Sequence, residues 1–389
     1  MLGPGPVLAL LELLVAIEVA QVNAAYTLYK NYSGSTFFDE WTFFGNYDNL
    51  TNGDTIWVNK SASSQLAYVN SAGRAIIKVD NASVVPYSYK RDSVRISTNT
   101  LFGIGSLWIY DAYHVPYGCS VWPAMWSVCA NWPLNGEIDT FEGEEPTRCT
   151  CVSQIHTETG CIATGTSSTM TGNLTYSNCS TSANYNSGCT IKDPRETSYG
   201  ADFATNGGGV WATEFASTGI KIWFFPRALV PSDLLATNTS AQPNPSGWGL
   251  PVANYPSQPS CDISTYFGPQ KLTIDITMCG DWAGTASVYN QTCTLRQSCY
   301  LDNVLNASNY DTAYFELGSV RVYNDGSASA TSTVVKTSSI HSATATGANT
   351  VASTTSSSAS RASMVFGSQG VVASALVVVM MAFGAGLLW

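Results

Sequence analysis

Asn135-Gly136-Glu137-Ile138-Asp139-Thr140-Phe141-Glu142-Gly143 places three carboxylates within six residues of a chain in which only 11% of residues are charged. Asn-Gly before the acids and Gly after them punctuate a strand or turn and suit a helix interior poorly. Ile138, Thr140 and Phe141 are residue types that favour strands. In an ideal strand residues two apart share a face, so Glu137 and Asp139 point one way and Glu142 the other. A one-residue β-bulge between Asp139 and Glu142 shifts that parity and turns all three acids toward one spot.

The segments around it have the same character. Ala75-Ile76-Ile77-Lys78-Val79, Ser93-Val94-Arg95-Ile96, Ser106-Leu107-Trp108-Ile109-Tyr110, Ile220-Lys221-Ile222-Trp223-Phe224-Phe225, Leu272-Thr273-Ile274-Asp275-Ile276 and Ser319-Val320-Arg321-Val322-Tyr323 are short and rich in β-branched and aromatic residues. Gly, Asn, Pro and Ser separate them, and long helical periodicity is absent. This pattern predicts an all-β sandwich. No internal repeat and no separate binding module is visible.

Composition narrows the chemistry. The chain has 389 residues and a net charge of -10, without the basic stripe that nucleic acid requires. Eleven cysteines fit an oxidising compartment, and none shows paired metal-ligand spacing, so neither a metal nor a cofactor is expected. Acidic hexapeptides are most often solvated surface. Here Trp122, Trp126 and Trp132 crowd the approach to the acids, and sugar rings offer apolar faces to aromatic platforms. Two carboxyl groups about 5 Å apart across a sugar are the apparatus of a retaining glycosidase. A third acid beside them can hydrogen-bond one of the pair and hold the protonation states apart.

Val121-Trp122-Pro123-Ala124-Met125-Trp126, Asn131-Trp132-Pro133 and Glu137-Ile138-Asp139-Thr140-Phe141-Glu142-Gly143 together resemble the catalytic core of glycoside hydrolase family 16, in its bulged-strand fungal laminarinase branch. The likeness continues through Ile155-His156-Thr157, Trp223-Phe224-Phe225-Pro226-Arg227 and Cys279-Gly280-Asp281-Trp282-Ala283-Gly284, and so spans residues 26 to 324. It implies a jelly roll of two curved antiparallel sheets with a concave substrate cleft, and a monomer acting on β-glucan. It implies a retaining endo-β-1,3(4)-glucanase, with Glu137 as nucleophile, Glu142 as acid and base, and Asp139 tuning Glu137. The rivals are a wall transglycosylase using the same residues and an inactive glucan-binding protein.

Five further residues have two readings. Trp126 is a core aromatic or a sugar platform, and the resemblance favours the platform for it and for Trp132. His156 is a satisfied structural histidine, or the residue that the resemblance places on the leaving-group side of the cleft. Arg95 is a structural ion-pair partner or, by resemblance, a donor to sugar hydroxyls. Trp282 matches a tryptophan lining the cleft. The loops 159–197 and 231–260 are expected to set linkage and chain-length preference. Cys129 comes shortly before the acidic strand, and Cys149 and Cys151 shortly after. A hairpin return would pair Cys129 with one of the later two and leave the other free.

The ends read as addresses. An apolar run at 7–20, broken by Glu12 and Glu18, precedes Val22-Asn23-Ala24, so residues 1–24 are expected to be a signal peptide ahead of a catalytic domain at 25–325. Nine Asn-X-Ser/Thr sequons, at Asn31, Asn49, Asn59, Asn81, Asn173, Asn178, Asn238, Asn290 and Asn306, would then be open to glycosylation. Residues 326–363 are a Ser/Thr-rich stalk. The segment 364–389 ends in an apolar run and reads as a GPI-attachment signal, with a C-terminal transmembrane helix as the alternative. A secreted protein held at the cell surface or wall is expected.

Overall fold

The computed structural model describes residues 26–143, 151–235, 240–291, 293–294, 296–327 and 331–332. The expected signal peptide, most of the stalk, the apolar tail, Asn238 and Cys149 lie outside these residues.

Eight strands form the sheet that carries the acids. In chain order they are β1 (Trp41–Phe43), β2 (Arg95–Thr98), β3 (Val121–Val128), β4 (Glu137–Glu142), β5 (Val152–His156), β6 (Asn173–Leu174), β7 (Cys189–Lys192) and β8 (Lys271–Met278). Across the sheet the order is β6-β7-β5-β4-β3-β8-β2-β1, antiparallel throughout. A second antiparallel sheet is built around Ser106–His114, Gly209–Ala216, Gly219–Pro226 and Tyr314–Asn324. The expected segments all fall on strands, except that Val79 lies just past the strand Ala75–Lys78 and the run from Ser93 to Ile96 breaks at Val94 between Arg91–Ser93 and β2. Among the described residues the longest α-helix is Gly200–Thr205. The result is the jelly-roll β-sandwich that the sequence pattern and the resemblance implied.

The core forms where the two sheets face one another. Inward from β4 come Ile138, Thr140 and Phe141, all fully buried. Phe141 meets Trp211 of the opposite sheet at 4.9 Å between ring centroids, and Trp211 in turn packs on Phe203 and Phe224. Burying side chains of this size supplies the main driving force for closing the sandwich.

The second sheet is covered on its outer face as well. Leu107, Ile109, Val210, Ala212 and Trp223 alternate with the core residues and pack with Leu234 and Trp248. Leu234 and Trp248 belong to the 231–260 loop. Its 232–249 part, where it is described, serves to bury the face of the sheet remote from the acids, because those alternate positions are apolar and need cover.

Among the described residues four disulfides close the structure, at Cys119–Cys293, Cys161–Cys261, Cys179–Cys189 and Cys279–Cys299. Cys129 and Cys151 are free, so of the two partners expected for Cys129 the bridge to Cys151 does not form, and Cys149 lies outside the described residues. The reason is register. Val128 is opposite Glu137 while Val152 is opposite Glu142, which puts the two cysteines at opposite ends of β4. That is roughly 17 Å of strand at about 3.3 Å per residue, against the Cα separation of under about 7 Å that a disulfide needs.

Candidate active site

The bulge lies where parity required it. Against β3, Met125 is opposite Phe141 and Trp126 is opposite Asp139, which leaves Thr140 as the extra residue. Against β5, Asp139 is opposite Gln154 and Glu142 opposite Val152, three residues stepping past two. Thr140 and Phe141 therefore both face the core, and Glu142 joins Glu137 and Asp139 on the other face. Burial fixes the arrangement. Thr140 Oγ1 accepts from Trp108 Nε1 at 3.1 Å and meets Thr213 Oγ1 at 2.7 Å, so the bulged residue is held by the opposite sheet. At the start of β4, Asn135 and Gly136 have φ of 67° and 69°. A Cβ on Gly136 would come within 2.3 Å of the Phe267 ring, so only glycine fits there.

Each acid has its own partners. Glu137 accepts from the indole N–H of Trp132, a side chain that is 45% exposed and thus open to a ligand. Asp139, 2% exposed, has His156 Nε2 at 3.3 Å from its Oδ2. His156 Nδ1 is 3.3 Å from Asn186 Oδ1. Gly188, two residues after Asn186, presses on that ring; a Cβ there would lie 2.9 Å from His156 Cε1. Glu142 accepts at both oxygens, from Trp122 Nε1 at 2.8 Å and from Gln154 Nε2 at 2.9 Å.

Burial governs the titration of all three. It is the largest cause raising Glu137 to about 8, reinforced by the negative charge of Asp139 and opposed by His156 and the Trp132 N–H. Burial likewise raises Asp139, with Asp275 adding to it. Burial and then Asp139 push Glu142 well upward, against the Trp122 hydrogen bond. Three carboxyl groups in one partly dry row cannot all ionise together, so as pH rises they ionise in turn and the row passes through states with protonated and ionised members side by side. This is the condition a general acid and a carboxylate nucleophile need at one pH.

The flanks of the row differ. On the β3, β8 and β2 side, Trp126 donates to Asp275 Oδ2 at 3.3 Å, and Arg95 Nε approaches the same oxygen at 3.7 Å. The Arg95 guanidinium lies over the Trp126 and Phe44 rings, at 5.0 Å and 4.9 Å. Trp282 sets its ring edge to face with Trp122 at 5.2 Å between centroids. Asp139 Oδ2 and Arg95 Nε both lack a well-aligned hydrogen bond among the described residues. Unsatisfied polar atoms in a cleft are positions where a bound ligand's hydroxyls would be favoured.

All eight residues expected from the sequence lie in or beside this row. Trp126 and Arg95 are both buried and Arg95 forms the ion pair, and both stand on the face that carries the acids. Three participants were not legible as site residues, Gln154, Asn186 and Asp275, while Trp122 stands beside the acids as its place in the sequence suggested. Two had a usable signal. Gln154 is two residues before His156 and so shares its face, and Thr273, Asp275 and Thr277 alternate as a polar face within an apolar strand. Asn186 had none, because a loop places it.

Comparison with known proteins agrees. Residues 41–323 match the family described as XgeA-like, catalytic GH16 domain. A probable glycosidase of Schizosaccharomyces pombe is 37% identical over 300 residues, covering 77% of this chain and 69% of that protein. The endo-1,3(4)-beta-glucanase xgeA of Emericella nidulans is 34% identical over 319 residues, 79% of this chain and 49% of that one. The chain thus spans about half the length of its Emericella and Aspergillus relatives. Among solved structures, laminarinase 16A of Phanerochaete chrysosporium, with 6-O-glucosyl-laminaritriose in donor and acceptor sites, superposes with a TM-score of 0.72 at 34% identity. An elongating family 16 β-1,3-glucosyltransferase does so at 0.70 and 33%. Each covers 77% of this chain and 100% of its own.

Proposed function

Because the chain belongs to glycoside hydrolase family 16, we propose that it is a retaining endo-β-1,3(4)-glucanase acting on laminarin-type and mixed-linkage β-glucans. The observation that carries this reading is the bulge at Thr140, which puts Glu137, Asp139 and Glu142 on one face with different partners. A Glu137 oxygen attacks the anomeric carbon as the glycosidic bond breaks, and the proton of Glu142 goes to the departing oxygen. Water then attacks the same carbon, gives its proton to Glu142, and the bond to Glu137 breaks with configuration retained. The charge of Asp139 raises both Glu137 and Glu142, and so holds the row's protonation states apart. Trp132, Trp126, Trp282, Arg95 and His156 bind the glucan on either side. We further propose that the protein is secreted and held at the cell surface by a GPI anchor; phosphatidylinositol-specific phospholipase C then releases active enzyme from intact cells.

Azide tests the roles. Glu137→Ala with azide gives the inverted α-glycosyl azide, and Glu142→Ala with an activated leaving group gives the β-azide. Near-normal laminarin turnover in Glu137→Gln or Glu142→Gln overturns the assignment. A second reading, transfer of the glycosyl unit to an acceptor glucan, is favoured by the likeness to the elongating glucosyltransferase. Products longer than the starting laminari-oligosaccharide identify it.

A further inference from the structure

Glu142 is gripped at both oxygens, but its two partners are chemically unlike. The Trp122 indole can only donate a hydrogen bond, whatever the state of the carboxyl. The Gln154 amide donates at one end and accepts at the other. Gln154 is 7% exposed and is placed by register: it stands opposite Asp139 on β4 and opposite Thr190 on β7, in one row across the sheet. Because the bulge swings Glu142 onto this face, the amide reaches it diagonally at 2.9 Å. Gln154 Oε1, at the other end of the amide, lies 3.4 Å from Thr190 Oγ1, a hydroxyl that also donates to Ser187 O at 2.7 Å.

We propose that Gln154 is a positioning residue for the second half of the reaction, its N–H stabilising Glu142 as the carboxylate that takes the proton from the attacking water. The inference rests on the reading of Glu142 as acid and base. A hydrogen bond to an ionised carboxylate is stronger than one to its neutral form. The gain therefore falls on the step in which Glu142 must be ionised, when the charge of Glu137 is lost in its bond to the sugar. The charged and titratable groups facing Glu142 are Glu137 and Asp139 on β4, His156 on β5, Asp275 on β8 with Arg95 behind it on β2, and Lys192 in the same row on β7. Gln154 is the amide among them that contacts Glu142 directly, so replacing it leaves every charge in place.

Gln154→Met keeps the length of the side chain and removes the donor. With a 2,4-dinitrophenyl laminaribioside, whose departure needs little acid assistance, the variant slows breakdown of the glycosyl-enzyme about ten-fold or more relative to its formation. A pre-steady-state burst becomes visible. Azide, which attacks without a base, restores turnover, and the alkaline limb of kcat/KM moves to higher pH. Equal loss in both steps, no azide rescue and an unmoved limb would mark Gln154 as merely structural. The Glu142→Ala azide experiment separates the two failures. If it yields the β-azide while Gln154→Met shows no selective effect, only this inference falls; if it yields none, the reading of Glu142 falls first.

Discussion

Replacing Asp139 by Asn tests the electrostatics of the carboxylate row. Asp139 is 2% exposed, lies between Glu137 and Glu142 on one face, and its charge raises both neighbours. Two residues along a strand is roughly 6.6 Å at about 3.3 Å per residue. At that distance, with an effective dielectric of about 20, a unit charge is worth roughly 2.5 kcal/mol, a little under 2 pH units. Asp139 is itself raised by burial, so its charge counts mainly on the alkaline side, where it ionises. There it favours the protonated form of Glu142 and extends activity upward in pH. Asn removes that support, and the alkaline limb of kcat/KM moves down by about one unit, half the full Coulomb figure. The acid limb follows ionisation of Glu137, which the charge of Asp139 also raises, so it moves down in the same direction. The assay is the initial rate of reducing-end release from laminarin across pH, with near-UV circular dichroism to confirm folding. An alkaline limb that stays in place or moves up would refute the reasoning.

Stability should follow the same row. Glu137 rises from 4.5 to about 8 in the folded protein, so its contribution is fully present below the lower value and lost as pH climbs through the upper. Thermal unfolding of the wild type should therefore weaken more between those values than that of Glu137→Gln, and parallel curves would count against it. Thr140→Val leaves the buried Trp108 N–H without its acceptor, which costs about 1–3 kcal/mol. Its Tm should fall by several degrees while laminarinase activity persists, because register rather than the hydroxyl places Glu142; an unchanged Tm would contradict the buried bond. Cys151 is buried beside Asp193 and Ser198, with its thiol pushed up to about 12, whereas Cys129 is half-buried. Peptide mapping after native alkylation should find Cys129 modified and Cys151 not; equal labelling of both would contradict the burial of Cys151, and a Cys129–Cys151 linked peptide would show the register argument to be wrong.

The sequence settled the matters that depend on the backbone's own period. Glu137, Asp139 and Glu142 can share a face only through one extra residue, and that followed from counting, before any partner strand was known. The strand runs were legible for the same reason, since alternation and turn residues act over a few positions. The tertiary structure decided which residue is the extra one and what touches each acid. Gln154 reaches Glu142 from 12 residues away, Asn186 reaches His156 from 30, and Asp275 reaches Trp126 from 149. Nor could the chain's order reveal that Leu234 and Trp248 cover the far face of the second sheet, or that Cys129 and Cys151 stand at opposite ends of β4. Parity is a property of one strand. Contacts, burial and the raised carboxyl groups that come with it depend on register between segments far apart, and closing the sandwich fixes that register.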